Sequence, residues 1–389
     1  MLGFKSIPGF NSGQLIGFSE FTLSIDPEAA TRSSSETSFL QDTLDRPNLL
    51  VHQRSLAKSL VFNNTTTATS VLLDTFGKTY SLSARREVIL AAGVFRTPQL
   101  LLASGIGSAA TLEKLGVPLR TDLPGVGQNL HDQPFFSVSY RVNVTTNSEL
   151  TTNQSAAAKA ANDYLTRQSG RLSSGWEKLP ESYRVNFTKS ARTELAQFPS
   201  HWPEIEVVPS AAITIPVTDQ AQYASIQVAI SSTTSVGTVT INTTDLSKNP
   251  IKDPKWLSTE TDQQVAVQTL KRAREIGQAT GVVMGDEYAP GPAVKTDADI
   301  LAYIKKTMTT FHHAVGTCKM GKAEDSSAVV NTKGLVKGVE KLRIVDASIF
   351  PFLPPGHTQG VGVLKIMVDA LAEKLAVEIL KSKVSAESI

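Results

Sequence analysis

The 389-residue chain has a single cysteine, Cys318, so no disulfide can form within it. No metal-ligand spacing surrounds Cys318, and it reads as a small buried thiol. An excess of one charge is also lacking. Lys and Arg number 38 and Asp and Glu 36, and the net charge of +2 is too small to gather nucleic acid or an anionic membrane. No stretch reaches the ~18 consecutive apolar residues of a membrane-spanning helix. Residues Met1–Ile7 lack a charged region followed by an apolar core, so no signal peptide is expected there. There is no G-x-G-x-x-G turn, Walker loop, G-x-S-x-G elbow or clustered metal-ligand motif. Those absences argue against nicotinamide dehydrogenase, NTPase, hydrolase and metalloenzyme chemistry.

What is present is ordinary for a globular protein: 41% hydrophobic and 19% charged residues, enough for two domains or one large composite domain. Six N-x-Ser/Thr sequons, at Asn63, Asn64, Asn143, Asn153, Asn186 and Asn242, lean towards a secretory history. Coincidence in a Ser/Thr-rich surface explains them equally well.

Residues 1–45 read as mostly irregular, punctuated by glycines and a Ser/Thr stretch, which suggests that the chain opens in the middle of a fold. The short runs Asn48–His52, Lys58–Phe62, Thr69–Asp74 and Thr79–Leu82 predict an antiparallel meander turning at Phe76-Gly77. The apolar run Val88–Ala92 ending at Gly93 predicts a strand buried on both faces. A buried helix should follow, with Thr97 as N-cap, Pro98 as its first residue and Gly105 just past its end. Between about Pro134 and Lys306 the texture is mixed α/β. Strands are expected at Tyr223–Ser231 and Thr238–Asn242, and helices at 261–279 and at 297–306, the latter capped by Thr296 or Asp297. Leu342–Asp346 predicts a strand ending in a carboxylate. A long helix should then run to about Leu380, its apolar stripe formed by Val361, Leu364, Val368, Leu371, Leu375 and Ile379.

Three segments invite a chemical reading. Phe311–Gly321 holds the adjacent His312 and His313. Neighbours on a strand point in different directions, so at most one should face a given site. Gly356-His357-Thr358-Gln359 opens a helix, whose free N–H groups favour negative charge on a ligand. Leu123–Asp132 contains Gly125 and Gly127, which permit close backbone approach to a ligand. Each segment alone is equally consistent with a hydrogen-bonded histidine, a cap or a tight loop.

Together these segments resemble the glucose–methanol–choline (GMC) oxidoreductase family. Gly93–Gly107 looks like the second signature of that family and Asp122–Leu130 like the stretch after it. His313–Met320 looks like its catalytic-histidine segment, and Val345–Ser348 with His357 like its flavin-contacting C-terminal segment. The resemblance covers nearly the whole chain in order and spacing. It implies an α/β (α+β mixed) fold: an incomplete FAD-binding Rossmann-like domain plus a substrate domain with a mixed or antiparallel sheet and helices. The division expected is residues 1–132 for the FAD domain with its meander, 133–322 for the substrate domain, and 323–389 for the return to the FAD domain. The strand–G-x-G-x-x-G–helix unit that binds the ADP pyrophosphate in the family is expected to be missing, which puts cofactor affinity in question.

The same resemblance assigns roles. His313 matches the catalytic histidine and His357 its partner. Ala57, Gly93, Asp346, Ala347, Thr358 and Gln359 match cofactor-binding positions. It implies oxidation of a small-molecule alcohol, with FAD as cofactor and oxygen or quinone as electron acceptor, and with no nucleic-acid partner or membrane span. The alternatives are a flavin-containing lyase or cyclase of secondary metabolism on the same fold, or an inactive truncated remnant.

Overall fold

The computed structural model describes residues 4–20, 24–26, 28–29, 31–63, 66–167, 173–357 and 365–386. Strand Pro134–Val142 organises the larger sheet. Phe136, Val138, Tyr140 and Val142 are buried in one core, and the two-residue period of a strand turns Phe135, Ser137, Ser139 and Arg141 to the other face. Tyr223–Ile230 pairs antiparallel with it, setting Ser225 opposite Ser139 and Ala229 opposite Phe135. Ile205–Ser210, Ser173–Glu177 and Gly17–Glu20 extend the sheet in that order, while Val283–Ala289 and Thr309–Thr310 pair with Pro134–Val142. Among the described residues this makes a seven-stranded antiparallel sheet.

Helix Glu260–Gln278 covers the apolar face, burying Val265, Ala266, Leu270 and Ala273. Each buried Val or Leu contributes about 1.5–3 kcal/mol. Helix Asp297–Thr307 begins as expected: Thr296 accepts from Asp299 N, and Asp299 accepts from Thr296 N. The strand period also explains how Ser173–Glu177 serves two neighbours. Glu177 turns back and accepts two bonds from Arg272 of the long helix, at 2.8 and 3.1 Å. The adjacent Trp176 therefore faces the opposite way, over the open side of the sheet.

A second core gathers Leu60, Ala68, Val88, Leu90, Leu100–Leu102, Cys318, Val329, Leu342, Ile344 and Leu375. Its meander is three strands, Ser55–Phe62, Ala68–Thr75 and Lys78–Ser83. Phe76 and Gly77 close the second turn with φ of 53° and 81°, as a two-residue type I′ hairpin requires. Asn48–His52, expected as a further run, forms no strand. Leu50 is 81% exposed, so no core draws this run in. Val88–Leu90 pairs in parallel with Leu342–Ile344. Its burial is one-sided, because Ile89 remains 44% exposed.

The next helix spans Gly93–Ala103, so it begins at Gly93 rather than Pro98, and Thr97 is not its cap. A proline within a helix leaves the carbonyl four residues earlier without its usual donor. That carbonyl belongs to Val94, and Thr317 Oγ1 donates to it at 2.6 Å. Thr97 turns its hydroxyl to Asp346 instead (2.6 Å). Tertiary bonds thus override the local capping preference. Gly105 takes the expected left-handed turn, φ 85°.

The last helix spans Lys365–Ala386 and so runs past the expected end near Leu380. Leu375 is fully buried and Val368 and Leu371 pack beside it, whereas Val361 and Leu364 lie outside the described residues. No helix of the described residues is long and apolar enough to cross a membrane. Of the sequon asparagines, Asn63, Asn143, Asn153, Asn186 and Asn242 are exposed, and Asn64 lies outside the described residues.

Candidate active site

Backbone bonds stitch three distant segments side by side. His131 and Val315 exchange two bonds (3.0 and 2.9 Å), and Phe311 N donates to Gln133 O at 3.1 Å. Gly316, Cys318 and Met320 donate to the carbonyls of Ala347, Ser348 and Ile349. The histidine segment therefore lies between residues 131–133 and 347–349. The result is that the rings of His313 and His357 lie 4.7 Å apart, centroid to centroid.

His313 is 6% exposed. Its backbone N–H donates to Asp132 Oδ1 (3.1 Å), and its Nδ1 lies 2.6 Å from Gln133 Oε1. An amide oxygen only accepts. With the amide placed this way, Nδ1 carries the hydrogen and Nε2 keeps its lone pair. Burial, then the neighbouring His357 and His312, hold the His313 pKa down to about 2, so the ring is neutral at ordinary pH. Burial pushes the Asp132 carboxyl the other way, upward, although Thr310 Oγ1 donates to it at 2.7 Å.

The depressed His313 pKa has a consequence for stability. Unfolded, the ring takes its proton near 6.5, whereas folded it resists down to about 2. In that window the unfolded chain binds more protons, so His313 contributes stability above pH 6.5 that is lost as the pH falls. Urea denaturation at pH 7.5 and pH 5 should show a decline that His313→Leu makes shallower. An equal decline in both proteins would refute this.

His357 meets a different partner. Its Nε2 is 2.7 Å from Glu206 Oε1, and Glu206 is fully buried. Ser174 Oγ donates to the same carboxylate oxygen at 3.1 Å. Glu206 lies opposite Trp176 across the strand pair, on the open face of the sheet. Aromatic rings enclose the histidines. Phe311 packs on both, with centroids at 4.7 and 5.2 Å, and is itself stacked on Phe135; the edge of Trp176 approaches His357.

The two adjacent histidines point in different directions, so they do not face one site together. His312 has a left-handed backbone, φ 64°, and lines a cavity of about 810 Å³, while His313 turns to His357. A non-glycine residue in that conformation is uncommon and here turns the two neighbouring side chains to different surroundings. Gly93, Asp346 and Ala347 line the same cavity, with Asp132, Lys252 and Trp256. Asp346 accepts from Gly93 N (3.0 Å), Thr97 Oγ1 (2.6 Å) and Ser348 N (2.8 Å), so one carboxylate fastens the C-terminal strand to the Gly93–Ala103 helix. At Gly93, φ 81°, an added Cβ would meet nothing within 4 Å.

Ala57 is not among the residues lining the cavity; it sits on the first meander strand against the second core. Thr358 and Gln359 lie outside the described residues. Among the described residues no group of three potential metal ligands occurs. The sequence reading missed Gln133 and Glu206. The signal for Glu206 was available: a carboxylate set between Ile205, Val207 and Val208 in a buried strand needs a partner.

Comparison with known proteins places the chain among relatives. Two family models described as GMC oxidoreductase, an N-terminal and a C-terminal one, match residues 5–135 and 233–364, well over half of the chain. The chain is 44% identical to the glucose methanol choline oxidoreductase atC of Aspergillus terreus over 97% of its own length and 62% of that protein. It is 42% identical to patulin synthase of Aspergillus clavatus, over 95% of this chain and 61% of the relative. The chain thus spans about three fifths of the length of these relatives. Among solved structures, an FAD-dependent oxidoreductase from Chaetomium thermophilum superposes with a TM-score of 0.82 at 26% identity, over 96% of this chain and 68% of that one. The expectation that the family's N-terminal unit is absent is corrected by the match to residues 5–135. That expectation rested on one glycine-rich turn. The meander, the Val88–Leu90 strand and the Gly93–Ala103 helix all fall within the matched N-terminal region.

Proposed function

The chain belongs to the GMC oxidoreductase family, and from that premise we propose that it oxidises the CH–OH group of a small-molecule alcohol to a carbonyl, with FAD as hydride acceptor. The observation that carries this reading is the pairing of His313 and His357 beside a cavity lined by Gly93, Asp346 and Ala347.

The residues present fit FAD, the family's cofactor. A cavity of about 810 Å³ is within the usual range for a cofactor pocket. Position 93 opens into free space where any side chain would intrude. Trp256 also lines the cavity, and its buried indole N–H has no acceptor among the described residues. Gly93, Asp346 and Ala347 would hold the cofactor against the Gly93–Ala103 helix. The bound flavin supplies the site that accepts the hydride from the alcohol carbon.

The protein's own part is proton handling and exclusion of water. Neutral His313 offers the Nε2 lone pair to the substrate hydroxyl and takes its proton as the C–H bond breaks. His357, held at Nε2 by Glu206, lies against the His313 ring and helps fix its position. Phe311, Phe135 and Trp176 wall the pair off, which strengthens each of these bonds.

The test is anaerobic mixing of the yellow, flavin-loaded protein with a panel of primary and secondary alcohols. Loss of the flavin absorbance band with at least one alcohol is the expected result. A flavin-loaded protein that stays yellow with all of them while converting a substrate would favour a lyase or cyclase and overturn the reading.

A further inference from the structure

We propose that Gln133 makes His313 a base: its amide oxygen keeps the hydrogen on Nδ1 both before and after Nε2 takes the substrate proton. The proposal rests on the oxidation reading above and adds a positioning residue to it. Gln133 is fully buried just ahead of strand Pro134–Val142, and its Oε1 lies 2.6 Å from His313 Nδ1. The preceding residue, Asp132, holds the same segment by its backbone and by Thr310, accepting from His313 N and Thr310 Oγ1. Two consecutive side chains thus fix the place of the ring and the place of its hydrogen separately. A neutral imidazole can carry its hydrogen on either nitrogen, and the partner of one nitrogen decides which.

The reaction itself decides which way the amide faces. Gln133 Nε2 is buried with no hydrogen-bond partner among the described residues. Turning the amide over would strand the oxygen instead and set an N–H against Nδ1. That arrangement serves only a ring with its lone pair on Nδ1, and it fails in an imidazolium, where both nitrogens donate. In the oxidation the substrate O–H breaks and an N–H forms at Nε2, while the C–H electron pair leaves as hydride to FAD and a C=O forms. With the oxygen inward, the Nδ1–H bond is the same before and after, so no buried group has to reorganise. A carboxylate would hold the same hydrogen but add a charge that favours the protonated ring. The titratable groups around His313 are His357, His312 and Asp132, with Glu206 beyond His357. Gln133 adds no charge to them, which leaves Nε2 unprotonated until the substrate delivers its hydrogen.

The ring nitrogens of the ¹⁵N-histidine-labelled, flavin-loaded full chain report the hydrogen directly, with the His313 signals assigned by their loss in His313→Asn. The native ring should carry its hydrogen on Nδ1. In Gln133→Leu, which fills the space without an acceptor, the hydrogen should move to Nε2. The anaerobic rate of flavin bleaching should then fall on the order of 100-fold, with KM within about threefold. Gln133→Glu keeps the acceptor and adds the charge. Its hydrogen should stay on Nδ1, and the acid limb of its bleaching rate should move up by about one to three pH units. A native ring with its hydrogen on Nε2 overturns the proposal. So does a leucine variant that keeps both the native rate and the Nδ1 hydrogen. A native protein that no alcohol bleaches overturns the oxidation reading instead, and the position of its His313 hydrogen still decides the role of Gln133.

Discussion

Replacing His313 with alanine should slow the anaerobic bleaching of bound flavin by alcohol on the order of 10³-fold, within the range that loss of a positioned base produces. His313 is the ring whose free nitrogen is defined: Gln133 holds Nδ1, which leaves the lone pair on Nε2, and burial keeps the ring neutral. Alanine removes that acceptor and leaves Asp132, Gln133 and Phe311 in place. The loss should therefore appear in the rate of reduction, with little change in flavin content or KM. Added imidazole should recover part of it by entering the vacated space. His201→Ala, at an exposed position outside the cavity lining, is the control. A His313→Ala protein that retains a tenth or more of the native rate would remove His313 from the role of base.

Asp346→Ala should have the largest effect on stability. One carboxylate serves three donors: Gly93 N, Thr97 Oγ1 and Ser348 N. Thr97 and Ser348 are fully buried, so water cannot replace the lost acceptor. Each buried donor left unpaired costs about 1–3 kcal/mol. A total loss of about 3–5 kcal/mol is therefore expected, large for a single substitution. Because the same clasp shapes the wall of the cavity, flavin content should fall with it. Denaturation midpoints with and without added FAD, beside the flavin-to-protein ratio, measure both effects. Asp346→Asn, which keeps one acceptor oxygen, should fall between native and alanine. A native midpoint with full flavin in Asp346→Ala would show that the clasp is dispensable.

Much of this architecture was legible where local rules and tertiary structure agree. The capping box at Thr296, the glycine turn at Gly105 and the hairpin at Phe76-Gly77 need only near neighbours in the chain. The sequence misled where a distant partner outbid a local rule. Thr97 looked like a helix cap, but its hydroxyl goes to Asp346, and Pro98 sits inside the helix because Thr317 serves the carbonyl it strands. The histidine pair was anticipated only through family resemblance; no spacing rule links residues 313 and 357. Glu206 was missed because its meaning depends on a ring 151 positions away. A buried charge in a strand announces a partner without naming it.

The parallel pairing of Val88–Leu90 with Leu342–Ile344 orders the birth of this molecule on the ribosome. Every strand of the antiparallel sheet precedes residue 311, so that half can close while synthesis continues. The strand at Val88 must wait for its mate, exposed, through some 250 residues of translation. A nascent chain halted near residue 320 should thus hold a protease-resistant sheet beside an N-terminal meander that trypsin still cuts.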